Sequence, residues 1–250
     1  KMQNSSIKDN SNKLLKYTDK VYYVAPESIP FLKKLYSFSD NNKLEYFPLG
    51  GYIPSEQKKE QERLRIRREL KLDSDDILLI HSGKLNKNKK SLELIKAFVQ
   101  VKSEKLRLVI IGNFTDDVYK SVKEFLEIDD RINYLGWKPA SELQNFLMAG
   151  DVYIQPGSRT VTVQNAACNG CALIVNRSLC YTYLFREDVF YAETEEEIKN
   201  ILDEISKNPS MVEENKKSVG HIAEKHLNYE MLANRYILSH NSYERNARIR

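Results

Sequence analysis

The sequence is short of the residues that build stapled or membrane-borne proteins. Three of its 250 residues are cysteine, and they stand together as Cys168, Cys171 and Cys180. An odd, clustered set of thiols makes no disulfide framework and suits a reducing cytoplasm. Cys168 and Cys171 form a CxxC, which leaves two readings: small buried residues, or half of a redox or metal set that no second CxxC or nearby histidine completes. No stretch approaches the roughly 18 to 20 consecutive apolar residues of a membrane span, and the opening KMQNSSIKDN lacks a signal peptide's apolar segment. No GxGxxG follows an apolar run, which disfavours a dinucleotide-dependent oxidoreductase. The excess of positive charge is small, +4, and the 15 tyrosines are too scattered to form a stacking strip for single-stranded nucleic acid.

What is present is a soluble globular composition, 41% hydrophobic and 30% charged, with two basic runs. KKEQERLRIRRELK (58–71) mixes acids and bases at helical spacing and predicts a solvated helix face. KLNKNKK (84–90) is almost purely basic and sits in a turn. Apolar runs recur at 76–83, 106–112, 132–136, 151–156, 172–175 and 189–192. Amphipathic stretches at 91–104, 115–128 and 139–150 separate the first four, with apolar residues every three or four positions. Strand and helix in alternation predict an α/β fold: a Rossmann-like open parallel sheet with helices on both faces. The C-terminal end reads as helices over 194–207, 210–226 and 228–246, the first opened by a capping box of Thr194 and Glu197. Residues 1–47 read as a polar lead, a helix over 12–19, a strand over 20–25 and a helix over 27–38, too few elements for a core of their own.

Three strands are expected to end at Gly83, Gly112 and Gly136, and a fourth at the Pro156-Gly157 turn. Ligands of open parallel sheets bind at the carboxyl ends of the strands, so these residues should line one rim. Lys84 follows a strand-end glycine, and Lys89 is expected to open the next helix. Their ammonium groups would then converge on one anion, naturally a pair of phosphates; the other reading is a solvated Lys/Asn turn. In the loop IQPGSRTVTVQNA, Ser158, Arg159, Thr160 and Thr162 are all that is offered, without carboxylate, histidine or lysine. Thr160 or Thr162 would cap the following helix and leave its first amides facing the rim, and Arg159 would clamp a phosphate or a sugar hydroxyl; the plainer reading is an ordinary cap with a solvated arginine. His81, inside LLIHSG, reads as a strand residue rather than a base.

The segments FPLGGYIPSE, ILLIHSGKLNKNKKSLELIKAF, LRLVIIGNF, INYLGWKPASELQNFLMAGDVYIQP and QNAACNGCALIV fall in the order and spacing of the C-terminal half of the group 1 glycosyltransferases. The resemblance covers about residues 44–176. It implies the GT-B fold, two Rossmann-like domains about a cleft, and transfer of a sugar from a nucleotide-diphosphate sugar to a glycan or lipid-linked acceptor. Carried over, Lys84 and Lys89 match the family's Arg and Lys that hold the donor diphosphate, the first losing a bidentate fork. Gly83 matches the glycine that admits the nucleotide. Trp137, Lys138 and Leu143 match positions near the base, Trp137 reading equally as a rim aromatic. Asn165 stands where the family has a ribose-binding glutamate. The family's first glutamate, which contacts the transferred sugar, has no counterpart, because the loop is about three residues shorter. No side chain is therefore singled out as catalytic.

The resemblance further implies a division into 1–47, the tail end of an N-terminal domain; 48–227, the donor-binding domain; and 228–250, a C-terminal helix packing back toward the N-terminal part. The chain would be one part of a longer enzyme, inactive alone, whose N-terminal domain brings the acceptor. No metal or other cofactor is expected, since the diphosphate charge would be met by lysines and helix amides and no Asp-x-Asp closes a strand. The expected setting is the cytoplasm, in peripheral contact with the inner face of a membrane and without nucleic acid. The alternative is a non-catalytic sugar-nucleotide-binding relative or partner subunit.

Overall fold

The computed structural model describes residues 17–36 and 43–247, with side chains over 17–34 and 43–238. The polar start, most of the helix read over 12–19, and Ser37 and Phe38 lie outside the described residues.

Two strands, β1 (Val21–Tyr23) and β2 (Leu44–Tyr46), form a small parallel sheet, with α1 (Ile29–Tyr36) between them. After α2 (Glu56–Glu69), the strands β3 (Ile77–Leu85), β4 (Leu106–Phe114), β5 (Ile132–Tyr134), β6 (Val152–Gln155), β7 (Ala172–Val175) and β8 (Phe190–Tyr191) build one sheet. Its order is β5-β4-β3-β6-β7-β8 and every pairing is parallel. Parallel strands cannot be joined by hairpins, so α3 (Ser91–Gln100), α4 (Asp116–Ile128), α5 (Ala140–Ala149), α6 (Thr162–Cys168) and α7 (Leu179–Phe185) carry the chain back between them. The helices α8 (Glu195–Lys207), α9 (Ser210–His226) and α10 (Tyr229–Ala247) finish the described chain.

Alternate residues of each strand face opposite cores. Leu78 and Ile80 of β3 pack with Ile66 of α2, Phe146 of α5, Val163 of α6 and Val219 of α9. Leu79 and Ile77 pack with Phe98 of α3, Val122 of α4 and Leu202 of α8 on the other face. Burial on both faces is why these strands read as unbroken apolar runs. The expected α/β sheet with helices on both faces is the fold observed. The α8 capping box is formed as read, with the Thr194 hydroxyl accepting from the Glu197 amide and the Glu197 carboxylate accepting from the Thr194 amide. In α2, Arg65 pairs with Glu62 and Glu69 on the solvated face.

The expectation that strands end at glycine needs correction. Gly83 and Gly112 lie inside β3 and β4 and are register partners, and the two strands stay paired through Lys84 with Asn113 and Leu85 with Phe114. Both glycines have positive φ, +133° and +132°, so the backbone turns within the pairing instead of leaving it. Gly136 does lie beyond β5, at φ +65°, and its carbonyl accepts from the Gly112 amide at 2.8 Å. Two elements were not anticipated: the short strand β2 and the helix α7.

The N-terminal strands are tied to the end of the chain. Arg235 of α10 pairs with Glu45, donates to the Tyr46 carbonyl and lies 4.5 Å from the centre of the Phe47 ring. Gly51 binds the α9–α10 junction through Leu227 and Tyr229, and the Gly50 amide donates to the buried Gln164 side chain.

Candidate functional site

At the carboxyl ends of β3 and β4 lies a cleft of about 500 Å³ lined by Gly83, Lys84, Asn113, Trp137, Lys138 and Leu143 among others. Five of these were expected from sequence. Asn113 was not, and neither were Phe114 and Thr115, which also line the cleft. Lys84 is exposed, and among the described residues its ammonium has no ion-pair or hydrogen-bond partner. Trp137 stands 67% exposed at the rim, and Lys138 is paired with Glu142 at 3.2 Å. Phe114, Tyr119 and Tyr134 form an aromatic cluster beside the cleft, the first and last with ring centres 5.0 Å apart.

Lys89 does not open the next helix, as expected, but ends a 3-10 turn, Lys87–Lys89. Lys90 follows in the left-handed conformation (φ 55°) and α3 starts only at Ser91. The reason is local: the Asn86 side chain accepts from the Asn88 amide and closes a tight turn of its own. This turn buries Lys89 to 8% exposure, and its Nζ donates to the carbonyls of Ser158 at 3.1 Å and Arg159 at 3.4 Å. A Cβ built on Gly83 would stand 3.6 Å from Lys89 Cε, so the side chain passes directly beneath the β3 bend. Burial holds the Lys89 ammonium below its usual pKa, and no carboxylate answers it among the described residues.

The 157–162 loop is clamped onto that turn. Ser158 donates its amide to the Asn88 carbonyl at 2.6 Å, and a Cβ on Gly157 would come within 2.2 Å of the same oxygen. The side chains of Asn176 and Gln155 donate to the Gly157 and Ser158 carbonyls. Neither threonine caps α6: its N-cap is Val161, in helical conformation and without a side-chain bond. The Thr160 amide donates to the Tyr181 hydroxyl, and its own hydroxyl pairs with that of Thr162 at 3.1 Å and accepts from the Thr162 amide at 3.4 Å, outside the N-cap position.

Arg159 meets Lys89 through its carbonyl, while its side chain goes to Glu27. Its Nη1 lies 2.9 Å from Glu27 Oε2, while Glu27 Oε1 accepts from the Cys180 amide at the start of α7. A carboxylate from the N-terminal segment thus reaches the loop that has none of its own. Asn165 is half-buried on α6, and its Oδ1 would stand 2.8 Å from a Cβ built on Gly51; it is not among the residues lining the cleft. The thiols of Cys168 and Cys171 are buried, which pushes both up to about 12, and Cys171 donates to the Leu147 carbonyl. At that pKa they are packing groups.

His81 is fully buried, its Nδ1 2.8 Å from the Ile154 carbonyl and its Nε2 2.9 Å from the Ser91 hydroxyl. It stitches β3 to β6 and to the start of α3. Burial lowers its pKa to about 4, the Ile154 bond opposing and the nearby Lys89 charge assisting. Since the folded value lies below the unfolded 6.5, the unfolded chain binds the proton first and stability is lost as pH falls. Between pH 6.5 and about 5 the loss should be about 2 kcal/mol, and it should vanish in His81→Gln when urea unfolding is measured at both ends. His226 shifts in the same direction, so His226→Gln is the control and should retain most of the loss.

A family model for group 1 glycosyl transferases matches residues 62–226. Sequence comparison with curated proteins matches none of them. Among solved structures, Anabaena HepE in complex with UDP and glucose superposes with a TM-score of 0.70 at 14% identity, covering 90% of this chain and 63% of that one. A glycosyltransferase from Rickettsia africae gives 0.75 at 13% identity, covering 95% and 66%. The C-terminal domain of the group 1 family protein LpcC from Francisella tularensis gives 0.58 at 16% identity, covering 71% of this chain and 96% of that domain. The chain spans less than two thirds of the length of the Anabaena and Rickettsia chains. At these identities the superpositions speak for the shared GT-B architecture; with the family model matched from α2 through α9, the chain belongs to the group 1 glycosyl transferases.

Proposed function

We propose that this chain is the donor-binding part of a glycosyltransferase that moves a sugar, of hexose type, from a nucleotide-diphosphate sugar to a glycan or lipid-linked acceptor. The observation that carries the reading is the Lys89 ammonium, buried at the strand ends with two carbonyls and no carboxylate for company. A buried cation without a counter-ion is costly, and a diphosphate beside it removes that cost. When the bond from the sugar's anomeric carbon to the diphosphate breaks, negative charge grows on the departing phosphate, and Lys89 and Lys84 stabilise that charge more than the bound substrate. Charge neutralisation by lysines is the reason we assign no metal or other cofactor. The aromatic-rimmed cleft between Lys84 and Trp137 takes the base, and Asn165, outside that cleft, is assigned to the ribose on its match to the family position alone, as a neutral hydrogen-bonding group.

Anabaena HepE holds UDP, which makes UDP the first nucleotide to titrate, with GDP second. The expected result is saturable binding, weakened about 30-fold in Lys84→Ala plus Lys89→Ala, the loss of charge-assisted hydrogen bonds to phosphate. Unchanged affinity in a folded double variant removes the assignment of these lysines. The acceptor and an N-terminal domain are proposals that follow from the shared length, and the chain alone is expected to bind donor without transferring sugar. The enzyme would work in the cytoplasm at a membrane's inner face; no described helix is long and apolar enough to cross one.

One observation favours a second reading, a sugar-nucleotide-binding relative without activity. The loop 157–162 carries no carboxylate, and the one brought to it, Glu27, is engaged with Arg159. Sugar transfer, or donor hydrolysis, by the longer protein would discard that reading.

A further inference from the structure

A second groove, about 540 Å³, lies away from the donor cleft, between β2, α7 and α9. Arg186, His221, Lys225 and His226 line it, with the phenol rings of Tyr46 and Tyr183 packed edge to face at 5.0 Å on one side. It shares no residue with the cleft at Lys84.

The basic groups of this groove form no ion pair among the described residues. Arg63, Arg65, Arg67, Arg107, Arg131, Arg159 and Arg235 each pair with a carboxylate. Arg186 does not, like Arg68 and Arg177 elsewhere, and neither do His221, Lys225 or His226 among the described residues. One carboxylate, Asp188, lines the groove without an ion pair of its own. Mutual repulsion is visible at His226, whose pKa burial lowers and Lys225, Arg235, Arg186 and His221 lower further. The groove sits where α7 and α9 end, and helix carbonyl ends attract cations by about 0.3–1 kcal/mol each. That places the cations; with Asp188 as the one carboxylate of the lining, their charge stays in excess.

The backbone adds an independent sign. Arg186 has φ 50° and ψ −125°, a conformation an L residue with a Cβ rarely takes. It is held there from both sides, its amide donating to the Thr182 carbonyl and its carbonyl accepting from the Tyr191 hydroxyl. Strained non-glycine positions fixed in this way concentrate at ligand clamps.

We propose that this groove is a second anion site, taking a phosphate monoester whose dianion is held by Arg186, Lys225, His221 and His226 and whose organic part lies on Tyr183. A dianion suits two permanent cations and two imidazoles converging from two elements, and Arg offers a fork that matches phosphate oxygens. The space exceeds what inorganic phosphate needs, and the exposed tyrosine face suits a sugar or glycerol moiety. The phosphate belongs either to a soluble sugar phosphate or to a lipid headgroup.

The test follows the His221 and His226 ring protons by NMR while inorganic phosphate, then a hexose monophosphate, is titrated into the whole chain. Both resonances should move in saturable fashion, the ester binding tighter than inorganic phosphate. Arg186→Gln with Lys225→Gln should weaken binding at least about tenfold and leave UDP affinity as it is. Lys225→Gln with His221→Ala, both on the exposed face of α9, serves if the Arg186 change unfolds the strained turn. Co-sedimentation with phosphatidylcholine vesicles doped with phosphatidic acid, lost in the same variants, assigns the site to a headgroup; hexose phosphate binding without co-sedimentation assigns it to a soluble ester. Unmoved histidine resonances, or equal affinity in the variants, overturns the proposal. Because the UDP titration is read separately, its failure is distinguishable from failure here.

Discussion

Asp151→Ala should cost about 3–5 kcal/mol of stability, measured by urea unfolding, and Asp151→Asn nearly as much. Asp151 opens β6 at 4% exposure and is the hub of a buried charge network. Its Oδ1 lies 2.8 Å from both Lys216 of α9 and Arg63 of α2. Its Oδ2 accepts from the Leu78 amide of β3 at 2.9 Å and faces Arg67 at 3.3 Å. One carboxylate thus ties two helices and the central strand to a single point. Burial raises its pKa, but the charges of Lys216 and Arg63 and the Leu78 amide outweigh that and hold the carboxyl below the ordinary range. Its stabilising effect is therefore full above the unfolded pKa and is lost as pH falls through the folded one. Removing the carboxylate leaves Arg67, itself buried and bonded to the Asp73 and Asp76 carbonyls, with its charge uncompensated. The asparagine can still accept from Leu78 but cannot neutralise three cations. Arg65→Ala, which breaks only exposed i,i+3 and i,i+4 pairs, should cost under about 1 kcal/mol. A loss below 1 kcal/mol for Asp151→Ala would show that the network is solvated and that packing alone fixes α2 and α9.

The sheet was legible because its strands are buried on both faces, and a run such as Ile77–Ile80 cannot be anything polar or half-solvated. The cleft is legible in part for the same reason: Gly83 and Lys84 follow the apolar run of β3, Trp137 and Lys138 follow that of β5, Leu143 comes from the next helix, and strand ends meet at one rim. What sequence could not supply is the shape of the polar turns. Lys89 reads as the start of a helix because nothing in NKNKK marks the left-handed Lys90 that separates it from α3. Arg159 was read as a phosphate clamp because Glu27, its partner, is distant in sequence and lies in a fragment with no core of its own. Asn113, Phe114 and Thr115 do not stand out in the sequence because the apolar run of β4 stops at Gly112 while its pairing continues to Phe114. The helix α7 is one short run after Ser178, too brief for an apolar period to emerge. In each case the deciding contact is long-range or a single backbone angle, and composition is silent on both.

The paired glycines at the rim give the sharpest separation of backbone strain from crowding. Gly112→Ala should cost about 4 kcal/mol and abolish nucleotide binding, because its Cβ would meet the Gly83 carbonyl oxygen at 1.9 Å and the Gly83 carbonyl carbon at 2.9 Å. Neither atom can give way, since both belong to the strand that carries Lys84. Gly83→Ala shares the unfavourable φ, +133° against +132°, yet its Cβ would find only Lys89 Cε, at an ordinary 3.6 Å. Its cost should be the conformational part alone, about 1–3 kcal/mol. The Gly83 variant should thus fold and bind UDP weakly, the added methyl lying on the side chain beneath the bend, while the Gly112 variant should lose both stability and binding. Paired urea and UDP titrations decide it. Equal losses in the two variants would mean that backbone conformation sets the entire cost; a Gly112 variant that binds UDP normally would mean that β3 and β4 need not approach this closely to form the site.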